Sequence, residues 1–434
     1  MKNNIYHFFS PKVEPPEETK EVSDNILGAD EQTEEISSNK SSFWVGALAG
    51  AGIMLALILL LNASEKLINR LTNRPMGPEE KIEEIVELLD SHSINPFKVS
   101  ELQENMYRGL LNGVGDPYTT YYDKKALNSF MQSTEGSYGG IGVVVSGETE
   151  DKLVTVMMVY EGEPGALAGM KAGDKFMKVD GVDVSQSGVD EVTNLTKGQA
   201  GTTVRLTLYR PDDDRTFEVD VVRKKINIPT VDSKTLDNNI GYILVKAFDR
   251  VTLDQFTKAY DEHLENKVEG LVLDLRNNPG GLLDVVSKMT DLLAPEGIIV
   301  YTEDKNGKRE YIYSDKKQIE IPLVILVNGN SASASEVMSG ALKDLGVAVL
   351  VGQKTFGKGI VQNLYPLSDG SAIKITVSKY YTPSGVCIHG DGIVPEHVIE
   401  MSDELTAQLS MLTYDEDIQL QKAVEVIKDL ILES

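Results

Sequence analysis

Hydrophobic and polar positions change period several times along this chain, and each change predicts a different kind of element. No charge occurs between Ser41 and Ser64, and FWVGALAGAGIMLALILLL (43–61) is apolar over the length a helix needs to cross a bilayer, with Trp44 near one interface. PEEKIEEIVELLD (78–90) and VSELQENMYRGLLN (99–112) space their apolar residues by three and four and predict a helical pair. From Gly139 to about Arg223 short strand-like runs alternate with glycine turns, the pattern of a small β domain. Ile240 to Phe248 and Gly270 to Arg276 are strand-like, and the helix-spaced TLDQFTKAYDEHLENK lies between them, the order a βαβ unit requires. Further strands are expected at 347–352, 361–367 and 371–381. DEDIQLQKAVEVIKDLILES (415–434) reads as an amphipathic helix whose apolar face docks on the body of the protein or on a second subunit, so a homo-oligomer is among the expected partners.

The pattern is most informative between Pro322 and Gln362. PLVILVNG is a short apolar run ending in turn residues, and SASASEVMSGALKDLG then has helical spacing with a stop at Gly346. A buried strand that delivers small residues onto a helix N-terminus gathers unpaired amide N–H groups and the positive end of the helix dipole, so a serine there can attack a carbonyl while amides hold the oxyanion. None of the five histidines (His7, His92, His263, His389, His397) lies in this stretch. Lys358 is the alternative base, stripped of bulk on both sides by Gly357 and Gly359. If 358–364 runs as a strand, Lys358 and Gln362 share a face and the amide oxygen of Gln362 orients the amine. Burial would have to lower the lysine pKa by about 3 units, roughly 4 kcal/mol, to give a free amine near neutral pH.

Composition narrows the partners. The chain has 434 residues, enough for two or three domains, and its apolar fraction of 41% is ordinary for globular cores. Its net charge of −25 argues against nucleic acid and against adhesion to an anionic membrane surface. Residues 1–42 are polar and acid-rich, with Pro15-Pro16, and read as a disordered tail. The single cysteine, Cys387, permits no intrachain disulfide and reads as a small, partly buried apolar residue. No cofactor and no metal are expected. Gly140, Ile141 and Gly142, within GGIGVVV (139–145), can curl the backbone so that successive N–H groups point at a terminal carboxylate, with apolar side chains such as Val143 forming the pocket for the last residue.

N-G-x-S-A-S-A-S-E followed by K-T-F-G-K-G-x-V-Q resembles the active site of the carboxyl-terminal processing peptidases, tail-specific serine proteases with a Ser–Lys pair. The resemblance implies that Ser333 is the nucleophile, Lys358 the base and Gln362 the assisting glutamine, with Ser331 and Ser335 as helix-cap and first-turn residues and Lys354 a solvated loop lysine. D-L-R-N-N-P-G-G (274–281) resembles a second signature, in which Gly280 or Gly281 supplies an oxyanion donor beside the N–H of Ala334. GEPGALAGMKAGDKFMKVDGVDV (162–184) looks like the middle of a PDZ domain, and G-D-P-Y-T-T-Y-Y-D-K (115–124) resembles the segment that closes the family's N-terminal helical region. No chemistry attaches to that last segment in the sequence.

The expected fold class is therefore α/β: a crotonase-like serine protease core with a PDZ domain upstream of it, a helical N-terminal region and an N-terminal transmembrane helix. The expected boundaries are 1–42 tail, 43–61 span, 62–134 helical region, 135–224 PDZ domain, 225–400 protease core and 401–434 C-terminal helical segment. Leu61-Asn62-Ala63 places Leu where a signal-peptide cut needs a small residue, so an uncleaved anchor is expected. Lys66, Arg70 and Arg74 outnumber Lys40 across the span, which by charge alone puts the large domain inside the cell. The resemblance implies the reverse, an extracytoplasmic protease on a single-pass anchor in the cell membrane, and that expectation is adopted. Substrates are then proteins or peptides with free C-termini. Two other readings stand beside it: a crotonase-like acyl-coenzyme A enzyme in which Ser333 is structural, and a membrane-tethered PDZ scaffold with an inactive protease domain.

Overall fold

The computed structural model describes residues 50–54, 58, 75–147, 152–315 and 318–433. It divides into two units, one ending at Gly109 and the other running from Leu110 to the C-terminus. The first unit contains helix α1 (Pro78–His92), which starts with Pro78 at its first turn, and most of α2 (Val99–Asn112); neither helix has a buried residue. Only 50–54 and 58 of the span expected at 43–61 are described, and among the described residues no helix is long and apolar enough to cross a membrane.

In the second unit, Asp123 caps helix α3 (Lys124–Glu135), accepting the N–H of Ala126, and Gly136 ends it in the left-handed conformation. The chain then enters a β domain through strand β2 (Ser137–Gly140) and leaves it through β9 (Lys224–Asn227), which pair antiparallel from Ser137 opposite Asn227 to Gly140 opposite Lys224. Between them β3 (Val143–Ser146), β4 (Thr155–Val159), β5 (Lys175–Val179), β7 (Thr203–Arg210) and β8 (Arg215–Val222) form an antiparallel sheet in that order, with the short β6 (Val182–Asp183) against β5. Phe176, Leu206 and Leu208 fill its core.

The remaining chain builds a six-stranded sheet in the order β10 (Val231–Leu236), β11 (Ile240–Val245), β12 (Gly270–Asp274), β15 (Leu323–Val327), β16 (Ala348–Gly352), β19 (His397–Val398). All neighbours after the β10 edge are parallel, and the expected helix between β11 and β12 spans Thr252–Glu265. Its central strands are continuous apolar runs because both faces are covered. Leu271, Leu273, Ile325 and Val327 face one core with helices Leu283–Asp291 and Ala334–Asp344; Val272, Val324 and Leu326 face the other, where Leu420, Ala423, Val424 and Ile427 of the C-terminal helix (Ile418–Glu433) pack. The amphipathic C-terminal helix therefore docks on the body of its own chain. A second sheet centres on β18 (Ala372–Tyr381), which pairs on one edge with β17 (Ile360–Pro366) and on the other with β1 (Thr120–Tyr122) and β13 (Gly297–Asp304). The fold is thus mixed α/β with a separate β domain.

Candidate active site

Strand β15 ends in a turn that is stitched to the loop after β12. Ala332 N–H donates to Asn278 O at 3.0 Å, Ser331 Oγ to Leu275 O at 2.8 Å, and Ser335 Oγ to Asn278 O at 2.9 Å. Ser331 is therefore a loop tie and caps no helix, while Ser335 lies in the first turn as expected and ties to the same loop. The N-cap is Ser333, with φ 55° and ψ −111°. A non-glycine residue there costs on the order of 1–3 kcal/mol and persists only where its surroundings fix it.

Glu336 does the fixing. Its carboxylate is fully buried; one oxygen, Oε2, accepts the N–H of Ser333 at 2.9 Å and that of Lys358 at 2.8 Å. The other accepts the N–H of Gly357 at 2.7 Å and the hydroxyl of Thr355 at 2.6 Å. A buried carboxylate is tolerated when charge-assisted hydrogen bonds replace its water, and these four bring the serine turn and the lysine loop onto one side chain.

Ser333 Oγ lies 3.2 Å from the hydroxyl of Tyr380 on β18. Burial pushes the Tyr380 phenol up, so it stays neutral, and the bond to Ser333 only partly offsets this. Lys358 is half-buried and has its Nζ 5.1 Å from the centre of the Tyr118 ring, with no hydrogen-bond or ion-pair partner for the ammonium among the described residues. Burial holds its pKa below the usual lysine range, Lys374 pushes the same way and Asp116 opposes both. Gln362 donates its Nε2 to Tyr118 O at 2.6 Å. The expectation that strand alternation puts Lys358 and Gln362 on one face needs correction: Lys358 precedes β17, and the strand bulges between Val361 and Gln362. The two side chains meet at Tyr118 instead. Lys354 is exposed, as expected.

Of the two glycines, Gly280 (φ 103°) runs so close to the serine turn that a Cβ there would stand 2.8 Å from Ser333 Cβ and 2.9 Å from Ala334 N. Its own N–H donates to Asn278 Oδ1 at 2.8 Å. The N–H groups of Gly281 and Ala334 have no acceptor among the described residues. A turn that presents free amides beside a serine hydroxyl can stabilise an oxyanion.

In the β domain, Gly140 belongs to the β2 ladder, and the N–H groups of Ile141 and Gly142 have no acceptor among the described residues. The Ile141 side chain is buried in the domain core and Val143 packs against that core, so their side chains are committed inward; the carbonyls of Ile141 and Gly142 accept from Gly165 and Tyr160, which leaves the two N–H groups as the open part of the loop. Strand β3, which Val143 begins, is an edge strand and so offers unpaired backbone groups to an extended peptide.

The sequence reading gives Glu336, Tyr380 and Tyr118 no part in the site. The three-residue spacing from Ser333 to Glu336 signalled the first of these. No spacing signals a tyrosine 47 residues from its serine.

Residues 239–399 match peptidase family S41, and residues 139–221 match the PDZ domain family. The chain is 35% identical over 326 residues to the carboxy-terminal processing protease CtpA of Bacillus subtilis, covering 75% of this chain and 69% of that one. It is 33% identical over 358 residues to the carboxy-terminal-processing protease of Bartonella bacilliformis, covering 81% of each. It is 34% identical over 336 residues to the carboxyl-terminal-processing protease of a Picosynechococcus species, covering 76% of this chain and 80% of that one. With the strained serine at a helix start, the adjoining lysine loop and the separate β domain, these likenesses make the chain a member of peptidase family S41, a serine-type carboxyl-terminal processing protease with a PDZ domain.

Proposed function

We propose that the chain is a membrane-anchored serine endopeptidase that cleaves proteins or peptides near their C-termini, with Ser333 as nucleophile, Lys358 as general base and Gln362 assisting it. The observation that supports this reading best is the Glu336 carboxylate, one oxygen of which accepts the backbone N–H of both the strained serine and the half-buried lysine. In its free-amine form Lys358 leaves the Tyr118 ring, takes the Ser333 proton as Oγ attacks the scissile carbonyl, and returns that proton to the leaving amine. The N–H groups of Ala334 and Gly281 hold the oxyanion, and water then attacks the acyl-enzyme with the lysine again as base.

In this reading the core at 225–400 is of the crotonase-like type and 135–224 selects substrates, the loop of Gly140, Ile141, Gly142 and Val143 receiving a terminal carboxylate. Residues 43–61 anchor the protein with its bulk outside the cell. The acyl-coenzyme A alternative has no observation in its favour. Two experiments test the proposal. The full-length chain in detergent should digest an unfolded protein and its Ser333→Ala variant should not, with a thermal midpoint close to the parent's, since the serine hydroxyl makes no cap bond and its contact with Tyr380 is worth about 1 kcal/mol. Activity that survives in Ser333→Ala would move the nucleophile. Protease added to intact cells should remove the large domain; protection until the cells are opened would reverse the topology.

A further inference from the structure

The segment Gly115–Lys124 is left without chemistry by the sequence, yet it reaches the base. Asp116 folds it into a tight turn: Oδ1 accepts the N–H of Tyr118 at 3.0 Å and Oδ2 the hydroxyl of Thr119 at 2.7 Å. The following residues Thr120–Tyr122 pair with Ala372–Lys374 of β18, so Tyr118 is delivered rigidly beside the strands that follow Lys358. Its ring face then lies under the Lys358 ammonium at 5.1 Å, and its carbonyl accepts Gln362 Nε2 at 2.6 Å. A carbonyl oxygen can only accept, so it dictates that the amide nitrogen of Gln362 turn toward Tyr118. The amide oxygen is left to face elsewhere, and among the described residues nothing donates to it.

We propose that Tyr118 is the positioning residue of the base: its ring face holds the lysine between proton transfers, and its carbonyl presets Gln362 to accept from the amine once the lysine swings toward Ser333. This rests on the assignment of Lys358 as base. The ring's quadrupole attracts the ammonium and has no such hold on the free amine, so the tyrosine retains the charged form and releases the form that reacts. Lys374 and Asp116 face Lys358, Glu336 holds its backbone N–H, and His389 meets the Tyr118 ring edge-on at 6.3 Å. A change confined to the ring leaves all four in place.

The test is the pH dependence of kcat/KM for the full chain with the aromatic face graded at constant shape: the parent, Tyr118→Phe, and phenylalanine carrying one, two or three ring fluorines at position 118. Rate requires the free amine, so it rises with pH through the lysine pKa. Weakening the ring's hold should move that limb stepwise to lower pH, by roughly 0.4–0.7 unit across the series, while Tyr118→Phe stays with the parent. A limb that does not move with fluorination, with Lys358→Arg inactive, overturns the role of Tyr118 and leaves the base assignment standing. Activity retained in Lys358→Arg removes the base assignment and this inference together, because guanidinium cannot act as a base.

Discussion

Glu336 carries more of the site than its place in the sequence suggests. Four donors converge on two oxygens, three of them backbone N–H groups that no rotamer change can turn away. Replacing Glu336 by Gln leaves one acceptor oxygen and sets an NH₂ group against donors. About two hydrogen bonds are lost with their groups still buried, at roughly 1–3 kcal/mol each. The expected outcome is a lower thermal midpoint together with at least a tenfold loss of kcat/KM, read by melts and peptide hydrolysis on the same preparation. A variant with parental stability and rate would show that the clamp is dispensable. Part of this clamp was legible, since a glutamate three residues after a helix-start serine is the capping-box spacing. The rest was not: the bonds to Thr355, Gly357 and Lys358 join loops that only the parallel sheet brings together. The same reason hid Tyr380 and reassigned Ser331, whose hydroxyl serves a strand end rather than a helix start.

Between the β domain and the serine turn lies a short relay of backbone. Ile228 N–H donates to Gly136 O and Arg250 N–H to Thr134 O, so the end of α3 is tied to both the exit strand and the loop after β11. Two residues before Arg250, Phe248 N–H donates to Gly280 O and Leu282 N–H to Phe248 O. Gly281 permits this close approach because it lacks a Cβ, which would stand 2.4 Å from Phe248 O. Asp249 sits between these contacts, and burial raises its pKa from the ordinary aspartate range to about 6. Because the folded value is the higher one, its contribution to stability is fully present below the ordinary carboxylate pKa and is lost as pH rises through about 6. Asp249→Asn should therefore raise the thermal midpoint at pH 7.5 and change it little at pH 4, with a ceiling of roughly 3 kcal/mol. Equal effects at both pH values would rule out the charge as the cause. Sequence periodicity reached the strands and helices on either side of this relay, because central strands covered on both faces read as unbroken apolar runs. It could not reach the relay, which is made of main-chain groups that every residue carries.

For the molecule as a whole, the proposed division of labour has a direct readout. If the open N–H groups at Ile141 and Gly142 bind a terminal carboxylate, peptides with a free apolar C-terminus should be cleaved faster than the same peptides amidated, because amidation removes the charge. One charge-assisted contact of roughly 1.5–3 kcal/mol corresponds to about a ten- to hundredfold difference. Equal rates would set aside C-terminal selection and leave the serine chemistry untouched. The ladder of β2 and β9 gives this division a topological footing. Gly140 and Lys224, the last paired residues on the β-domain side, stand directly opposite one another, as the two ends of a hairpin do. Everything between them is, in graph terms, one closed loop hung on a single rung. A two-residue turn from Gly140 to Lys224 would delete the loop without rerouting any strand of the catalytic sheets, and a different β module could be hung on the same rung. Such a layout lets recognition diverge by exchange of a cassette while the hydrolytic machinery keeps its wiring.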